Sequence, residues 1–255
     1  MIPNSAFAVA LKDPAAEPLA AAAFLSALKG YTRDSARAFL QRQPGFLGRG
    51  LTLDAARALK TAAAAAGFAT VLSAEEDIPC PPPAVKALKL EPKAAGFTVL
   101  AGGTATFVSF ESVTLFTAAA FDAPVPPADL NALGSGLFRK IRRLAAFPSF
   151  APVPVPPRET FFRADVICEG GRLRLLLEPE TLDFSPLGAD RSLSSFENYK
   201  KLLHRVSGPC FHAVKNHFLS ALLSGLPLTP LKLSSPEACD LEISRLLLVT
   251  PQRAP

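Results

Sequence analysis

The sequence predicts an α+β protein with an N-terminal domain over residues 1–78 and a second domain that mixes an antiparallel sheet with helices. The 255 residues are 49% hydrophobic, which is enough to bury a core in each unit. Short apolar strand patterns alternate with alanine-rich helical patterns in the first unit. In the second unit, the strand patterns come before the helical patterns, and they lie at 94–121 and at the beginning of 161–255. Proline-rich stretches at 79–93 and 122–160 indicate linkers between these segments.

The N-terminal domain has the predicted order β-α-α-β-α-β. Its segments are a strand at 7–11, a helix over 19–28 that ends at Gly30, a helix after Thr32 or Asp34, an edge strand at 46–50, a helix between Thr52 and Gly67, and a strand at 68–73. Apolar residues recur at helical spacing in the second and third helices. We therefore expect Phe39, Leu40, Leu59 and Val71 to share one core.

The second domain is predicted from strand patterns on both sides of the 122–160 linker. Gly102-Gly103 indicates a tight turn between strands within 94–121, and Gly170-Gly171 joins two further strands within 161–178. A few strands alone do not make a stable sheet, so we expect the two groups to pair with each other. Helices are predicted from 194 onward, including one through 213–224 and a last one from 236.

The 122–160 linker contains a basic amphipathic helix over 133–147. Leucine and isoleucine recur on one side, and four cations cluster on the other, namely Arg139, Lys140, Arg142 and Arg143. These cations are candidate binding residues for an anionic membrane surface, a nucleic acid or an acidic partner. The alternative is a solvated helix that docks on its own protein by its apolar side.

The aromatic composition indicates residues that pack in the core, and the low net charge does not indicate a dedicated nucleic-acid-binding surface. The net charge is only +5, and the aromatic residues are 19 Phe and two Tyr with no Trp. The four cysteines form no C-x-x-C pair, so we expect reduced thiols. No signal peptide pattern and no apolar run of about 20 residues is visible, which predicts a cytoplasmic protein without a transmembrane segment.

One cluster offers an alternative chemical centre: Cys210, His212 and His217. On a helix, the five-residue separation of the two histidines turns them about 140° apart, which is unsuitable for a shared metal ion. A cysteine nucleophile with a histidine base also needs a third, orienting group. We therefore predict no catalytic residue, no metal site and no cofactor, with this cluster as the alternative.

A resemblance to a known family rests on the stretch ARAFLQRQPGFLGRGLTLDAARALKTAAAAAGFATVLS and on FAVALKD before it. These residues resemble the C-terminal globular domain of the bacterial ribosomal stalk protein. The matching positions are Ala36, Arg37, Phe39, Leu40, Pro44, Gly50, Thr52, Ala56, Leu59, Lys60 and Gly67. The resemblance implies the β-α-α-β-α-β fold.

The resemblance does not extend to the family's charged surface. Where the stalk family has basic residues that recruit translation factors, this chain has Ala23, Ser26 and Asp34, although Gly30 and Arg37 are kept. The resemblance therefore implies the fold and not the ribosomal role. Further along, the pattern within 172–198 is similar to uncharacterised bacterial proteins, and no activity follows from that similarity.

The sequence thus predicts a non-catalytic, cytoplasmic interaction or scaffold protein that binds a protein partner. One alternative is a hydrolase, redox enzyme or metal-binding protein centred on Cys210 and His212. The other is a peripheral binder of anionic membranes or nucleic acid through the 133–147 helix.

Overall fold

The computed structural model describes residues 6–13, 17–124 and 158–250, and it confirms the α+β class. The N-terminal elements are β1(Phe7–Leu11), α1(Pro18–Lys29), α2(Arg33–Arg42), β2(Phe46–Leu51), α3(Leu53–Ala65) and β3(Thr70–Ala74). The second group comprises β4(Ala84–Pro92), β5(Gly96–Ala101), β6(Thr104–Ser109), β7(Val113–Pro124), β8(Arg158–Cys168), β9(Leu173–Leu177), α4(Ser195–Ser207), β10(Val214–Lys215), α5(His217–Ser224) and α6(Pro236–Val249).

The N-terminal elements form a three-stranded antiparallel sheet in the order β2-β1-β3, with three helices on one face. The threonine hydroxyls at the starts of α2 and α3 accept hydrogen bonds from the first turn, so Thr32 and Thr52 are the N-caps. The core between helices and sheet contains Val9, Leu25, Leu40 and Leu59. Burial of these apolar side chains supplies the main stabilisation of this unit.

The opposite face of the same sheet is also buried. Ala8, Ala10 and Phe46 pack there with Val71 and with Leu248 of α6. The expectation that Val71 belongs to the helix-side core was wrong. Successive side chains of a strand point to opposite faces, and β3 places Val71 beside Ala10, whereas the next residue faces the helices.

The second group forms a seven-stranded mixed sheet in the order β10-β7-β8-β9-β4-β5-β6. The predicted pairing across the 122–160 linker is confirmed, because β7 and β8 are antiparallel partners from Val113 beside Cys168 to Pro124 beside Arg158. The described ends of that linker, 122–124 and 158–160, therefore belong to strands. The 133–147 helix, with Arg139, Lys140, Arg142 and Arg143, lies outside the described residues.

The linker predicted over 79–93 is shorter than expected. After the prolines, Ala84–Pro92 is a central strand that pairs with β9 on one side and β5 on the other. The misleading signal was the proline-rich stretch 79–83, which ends immediately before this strand. In the structure Lys86 pairs with Glu178 and Lys89 with Glu91, so both cations are accommodated on a sheet surface.

Helices cover both faces of the large sheet. α4 and α5 bury Tyr199, Leu202 and Phe218 against one face. On the other face α6 packs Ile243 and Leu246 against Leu115 and Ile167. Because Leu248 of α6 also packs on the N-terminal sheet, this helix is shared between the two sheets.

A candidate binding cleft between the two domains

Polar contacts of α6 join the N-terminal unit to the large sheet. Arg245 binds Glu242 in a bidentate ion pair, with its Nε and Nη2 at 2.9 and 2.8 Å from the carboxylate oxygens. Its Nη1 also donates to the backbone oxygens of Leu11 and Asp13, at 2.9 and 3.1 Å. Both charged residues are buried. A buried arginine that makes four hydrogen bonds fixes the relative position of the elements that it contacts.

Beside this ion pair lies a cavity of about 70 Å³, which we call the interdomain cleft. Leu19 and Leu40 line it from the N-terminal helices, and Pro230 and Leu231 line it from the loop before α6. Pockets for drug-sized ligands have volumes of about 300–1,000 Å³. The interdomain cleft therefore has room for a side chain, or for a few water molecules, and not for a whole ligand of that size.

Arg37 of α2 lines the interdomain cleft without a counterion among the described residues. Its Nε is buried and has no hydrogen-bond partner in the part of the chain that the structure describes. A guanidinium has five N–H donors, and a buried donor without an acceptor is unfavourable because it has lost its hydration. The position of Arg37 therefore leaves a donor available for an acceptor group entering the cleft.

The other cation from the loop side, Lys232, is already neutralised. Its Nζ donates to Asp122 at 2.8 Å and to the hydroxyl of Thr160 at 2.7 Å. The bond from Lys232, together with that from Thr160, lowers the pKa of Asp122, so the carboxylate stays charged at neutral pH. Arg245 is likewise paired with Glu242. Among the described residues that line the cleft, the lysine or arginine without a counterion is consequently Arg37.

The beginning of α5 also faces the interdomain cleft, through Asn216, His217 and Phe218. Asn216 caps the helix by accepting from the Leu219 amide at 3.0 Å, and the same side chain bonds both backbone groups of Ala118 in β7. The start of α5 is therefore fixed to the sheet. Its free backbone N–H groups add partial positive charge to this side of the cleft.

The helix predicted through 213–224 is shorter in the structure. Val214–Lys215 forms a strand parallel to β7, and the helix begins only at His217. The asparagine cap, which the sequence pattern AVKNHFLSALL contains, was the signal for this boundary.

The three residues of the predicted alternative centre lie in different surroundings and do not form one site. Cys210 is buried, its Sγ donates to the backbone oxygen of Val206 at 3.2 Å, and burial raises its pKa to about 11. His212 bonds the backbone oxygen of Glu111 through Nε2 at 3.2 Å. His217 lines the interdomain cleft. A protonated thiol is a poor nucleophile, and the described residues contain no group of three His, Cys, Asp or Glu side chains that could hold a metal ion.

Sequence reasoning did not identify a charged cluster beneath α6, which we call the arginine–aspartate cluster: Arg163, Asp165, Arg174 and Asp240. Arg163 binds Asp165 in bidentate fashion, with both distances 2.9 Å, and Arg174 donates to Asp165 at 2.7 Å. Both arginines also bind one oxygen of Asp240. In the structure α6 covers the sheet face on which these side chains lie.

The arginine–aspartate cluster is balanced in charge and densely bonded. Two guanidinium groups meet two carboxylates, and Arg174 donates in addition to the backbone oxygen of Pro82 at 3.4 Å. The cluster therefore ties α6 and the segment before β4 to strands β8 and β9. Since its charges are satisfied internally, we interpret it as structural and the interdomain cleft as the candidate binding site.

No protein-family model, curated protein or solved structure matches this chain. Within 6–13, 17–124 and 158–250, no helix is long and apolar enough to cross a membrane.

Proposed function

We propose that this chain is a non-catalytic interaction protein and that its interdomain cleft binds an acidic segment of a protein partner. The observation that carries the proposal is the Nε of Arg37 at the wall of the cleft, which is buried and has no acceptor within 6–13, 17–124 and 158–250. An entering carboxylate supplies both the missing acceptor and the missing counterion. Arginine is well suited to this role because its planar donor group matches a carboxylate in geometry.

The remaining walls indicate what accompanies the carboxylate. Leu19 is 46% exposed at the rim, and Leu231 is half-buried on the facing loop. Contact with these side chains favours an aliphatic neighbour in the partner segment, because burial of apolar surface contributes about 25 cal/mol per Å². The small volume of the cleft favours a side chain presented by a larger molecule over a free metabolite.

A direct test uses a fluorescently labelled synthetic peptide that alternates glutamate and leucine, and measures its binding by fluorescence anisotropy. The informative variant is Arg37→Gln. Arg42→Gln is the matched control, because Arg42 lies on the same helix, is exposed and does not line the cleft. Loss of a charge-assisted hydrogen bond costs about 1.5–3 kcal/mol. We therefore expect roughly tenfold or greater weakening for Arg37→Gln and none for Arg42→Gln.

Two results contradict the proposal. One is an absence of binding by the unmodified protein at low salt, where attraction between charges is least screened. The other is equal binding by Arg37→Gln and the unmodified protein, which would place the peptide elsewhere on this mildly basic chain.

A further inference from the structure

Strand β6 forms one edge of the large sheet and does not line the interdomain cleft. β6 is the last strand in the sheet order, and among the described residues it pairs only with β5. Its register with β5 is regular from Thr104 to Ser109. No proline and no charged residue occurs between Lys93 and Glu111. Strand edges in proteins are usually protected by charges, prolines, bulges or covering elements.

The other strand edges of the described chain carry such protection. β10 is only two residues long and contains Lys215. β2 contains Arg49 and has an irregular register with β1. β3 runs directly into the acidic residues 75–77. An uncharged, regular and exposed edge such as β6 is therefore expected to have a pairing partner.

The turn between β5 and β6 determines which backbone groups of β6 are free. Gly102 and Gly103 both have positive φ, 55° and 80°, as a two-residue type I′ hairpin turn requires. The closing residues Ala101 and Thr104 form a hydrogen-bonded pair, and such pairs alternate along an antiparallel ladder. It follows that Ala105 and Phe107 direct their N–H and C=O groups away from β5.

The side chains along this edge are also open to solvent. Phe107 is 55% exposed, and residues 104–106 are exposed as well. The Phe107 ring passes across Gly96 of β5, since a Cβ on that glycine would lie 2.8 Å from the ring. The aromatic side chain is thus held along the hairpin with its outer surface uncovered.

We propose that two copies of this chain pair through β6, antiparallel, about a two-fold axis at Phe107. In this register Phe107 lies opposite its own copy and Ala105 lies opposite Ser109 of the second molecule. Both molecules then satisfy the outward backbone groups of residues 105 and 107. Every opposed pair is uncharged, and an isologous contact needs such self-complementarity. The two phenylalanines also form a cross-strand aromatic pair.

The second copy is favoured over a strand of another protein because the edge is complementary to itself without any change. A single strand pair buries less surface than the roughly 1,600 Å² of a standard stable interface. Association is therefore expected to be reversible and dependent on protein concentration. Sedimentation equilibrium of the full chain, over micromolar to submillimolar concentrations, measures it directly.

A charged side chain at position 107, which lies on the proposed two-fold axis, distinguishes this register from other modes of association. Phe107→Lys and Phe107→Glu each put like charges opposite one another, so each variant alone should associate at least tenfold more weakly than the unmodified chain. An equimolar mixture of the two should recover association, because lysine then faces glutamate. Circular dichroism melting of each variant checks that the fold is kept, since this exposed side chain contributes little to the core.

Three outcomes overturn the proposal. The first is a monomer at every concentration, and the second is a failure of the mixed variants to associate. The third is that the amides of residues 105 and 107 are protected from hydrogen exchange equally at all concentrations. That last result would mean that another part of the same chain, such as 125–157, covers the edge.

Discussion

Arg245 of α6 crosses directly over Gly45, which precedes β2 in the N-terminal sheet. A Cβ at position 45 would lie 2.1 Å from both the Cδ and the Nε of Arg245, and Gly45 has a φ of +71°. From this crossing the guanidinium reaches the backbone oxygens of Leu11 and Asp13. The absent side chain of Gly45 thus makes room for the residue that joins the two sheets and borders the interdomain cleft.

This relationship predicts that Gly45→Ala destabilises the protein more than Gly50→Ala does. Both glycines have positive φ, so each substitution costs roughly 1–3 kcal/mol of backbone strain. At Gly50 nothing lies within 4 Å of the new Cβ, whereas at Gly45 the Arg245 side chain must move. Overpacking adds about 1–3 kcal/mol. Urea unfolding of the two variants checks the difference, and equal losses would show that Arg245 is not held in this position.

The arginine–aspartate cluster predicts a large effect for Asp165→Asn. This change leaves Arg163 and Arg174 buried with only the half-exposed Asp240 as a counterion. Removal of one partner of a buried ion pair costs about 3–5 kcal/mol. Asp190→Asn is the matched control, because its pair with Arg205 is largely exposed and should contribute less than about 1 kcal/mol. Similar melting temperatures for the two variants would contradict the structural role of the cluster.

Reactivity toward a thiol reagent should distinguish Cys80 from the other three cysteines. Cys80 is exposed, whereas Cys168, Cys210 and Cys239 are buried. Burial raises the pKa of Cys239 to about 12, so this thiol stays protonated as well as inaccessible. In the native protein at pH 8 we expect one cysteine to react rapidly with a chromogenic disulfide reagent and the other three to react only after unfolding. Rapid reaction of a second cysteine would contradict the burial of these residues.

The same thiols predict that stability decreases with rising pH above about 8.5. In the unfolded chain a cysteine ionises near pH 8.5, but Cys210 and Cys239 keep their protons to about pH 11 and 12 when folded. Between these values the folded state holds more protons, so higher pH favours unfolding. The slope approaches about 1.4 kcal/mol per pH unit for each thiol. Cys239→Ala should reduce the slope of unfolding free energy against pH, and an unchanged slope would contradict this account.

Local sequence signals predicted most elements, whereas contacts between distant segments were beyond their reach. Threonine caps and glycine ends identified α1 to α3, because these signals act within one turn of the helix. The placement of α6 between two sheets could not be inferred in this way. It depends on Leu248 and Arg245 meeting residues more than 200 positions earlier in the chain.

The candidate site also depends on contacts between distant segments that local sequence signals do not indicate. Arg37 is noticeable in the sequence only as a position shared with the stalk family, and nothing local distinguishes it from other surface arginines. Its buried Nε is evident only when α2, the start of α5 and the loop at 230–233 come together around the interdomain cleft. Cys210 and His217, by contrast, are close in sequence, yet only His217 reaches the cleft. Proximity in sequence was therefore a poor guide to a shared site.

Reversal of the charge at Arg37 tests the binding proposal most directly. Arg37→Glu is titrated with the glutamate–leucine peptide and with a lysine–leucine peptide, alongside Arg42→Glu as the control of equal charge. If the carboxylate binds at Arg37, Arg37→Glu loses the acidic peptide and gains the basic one, while Arg42→Glu keeps the preference of the unmodified protein. Binding of the acidic peptide to Arg37→Glu as tightly as to Arg42→Glu would contradict the proposed role of the interdomain cleft.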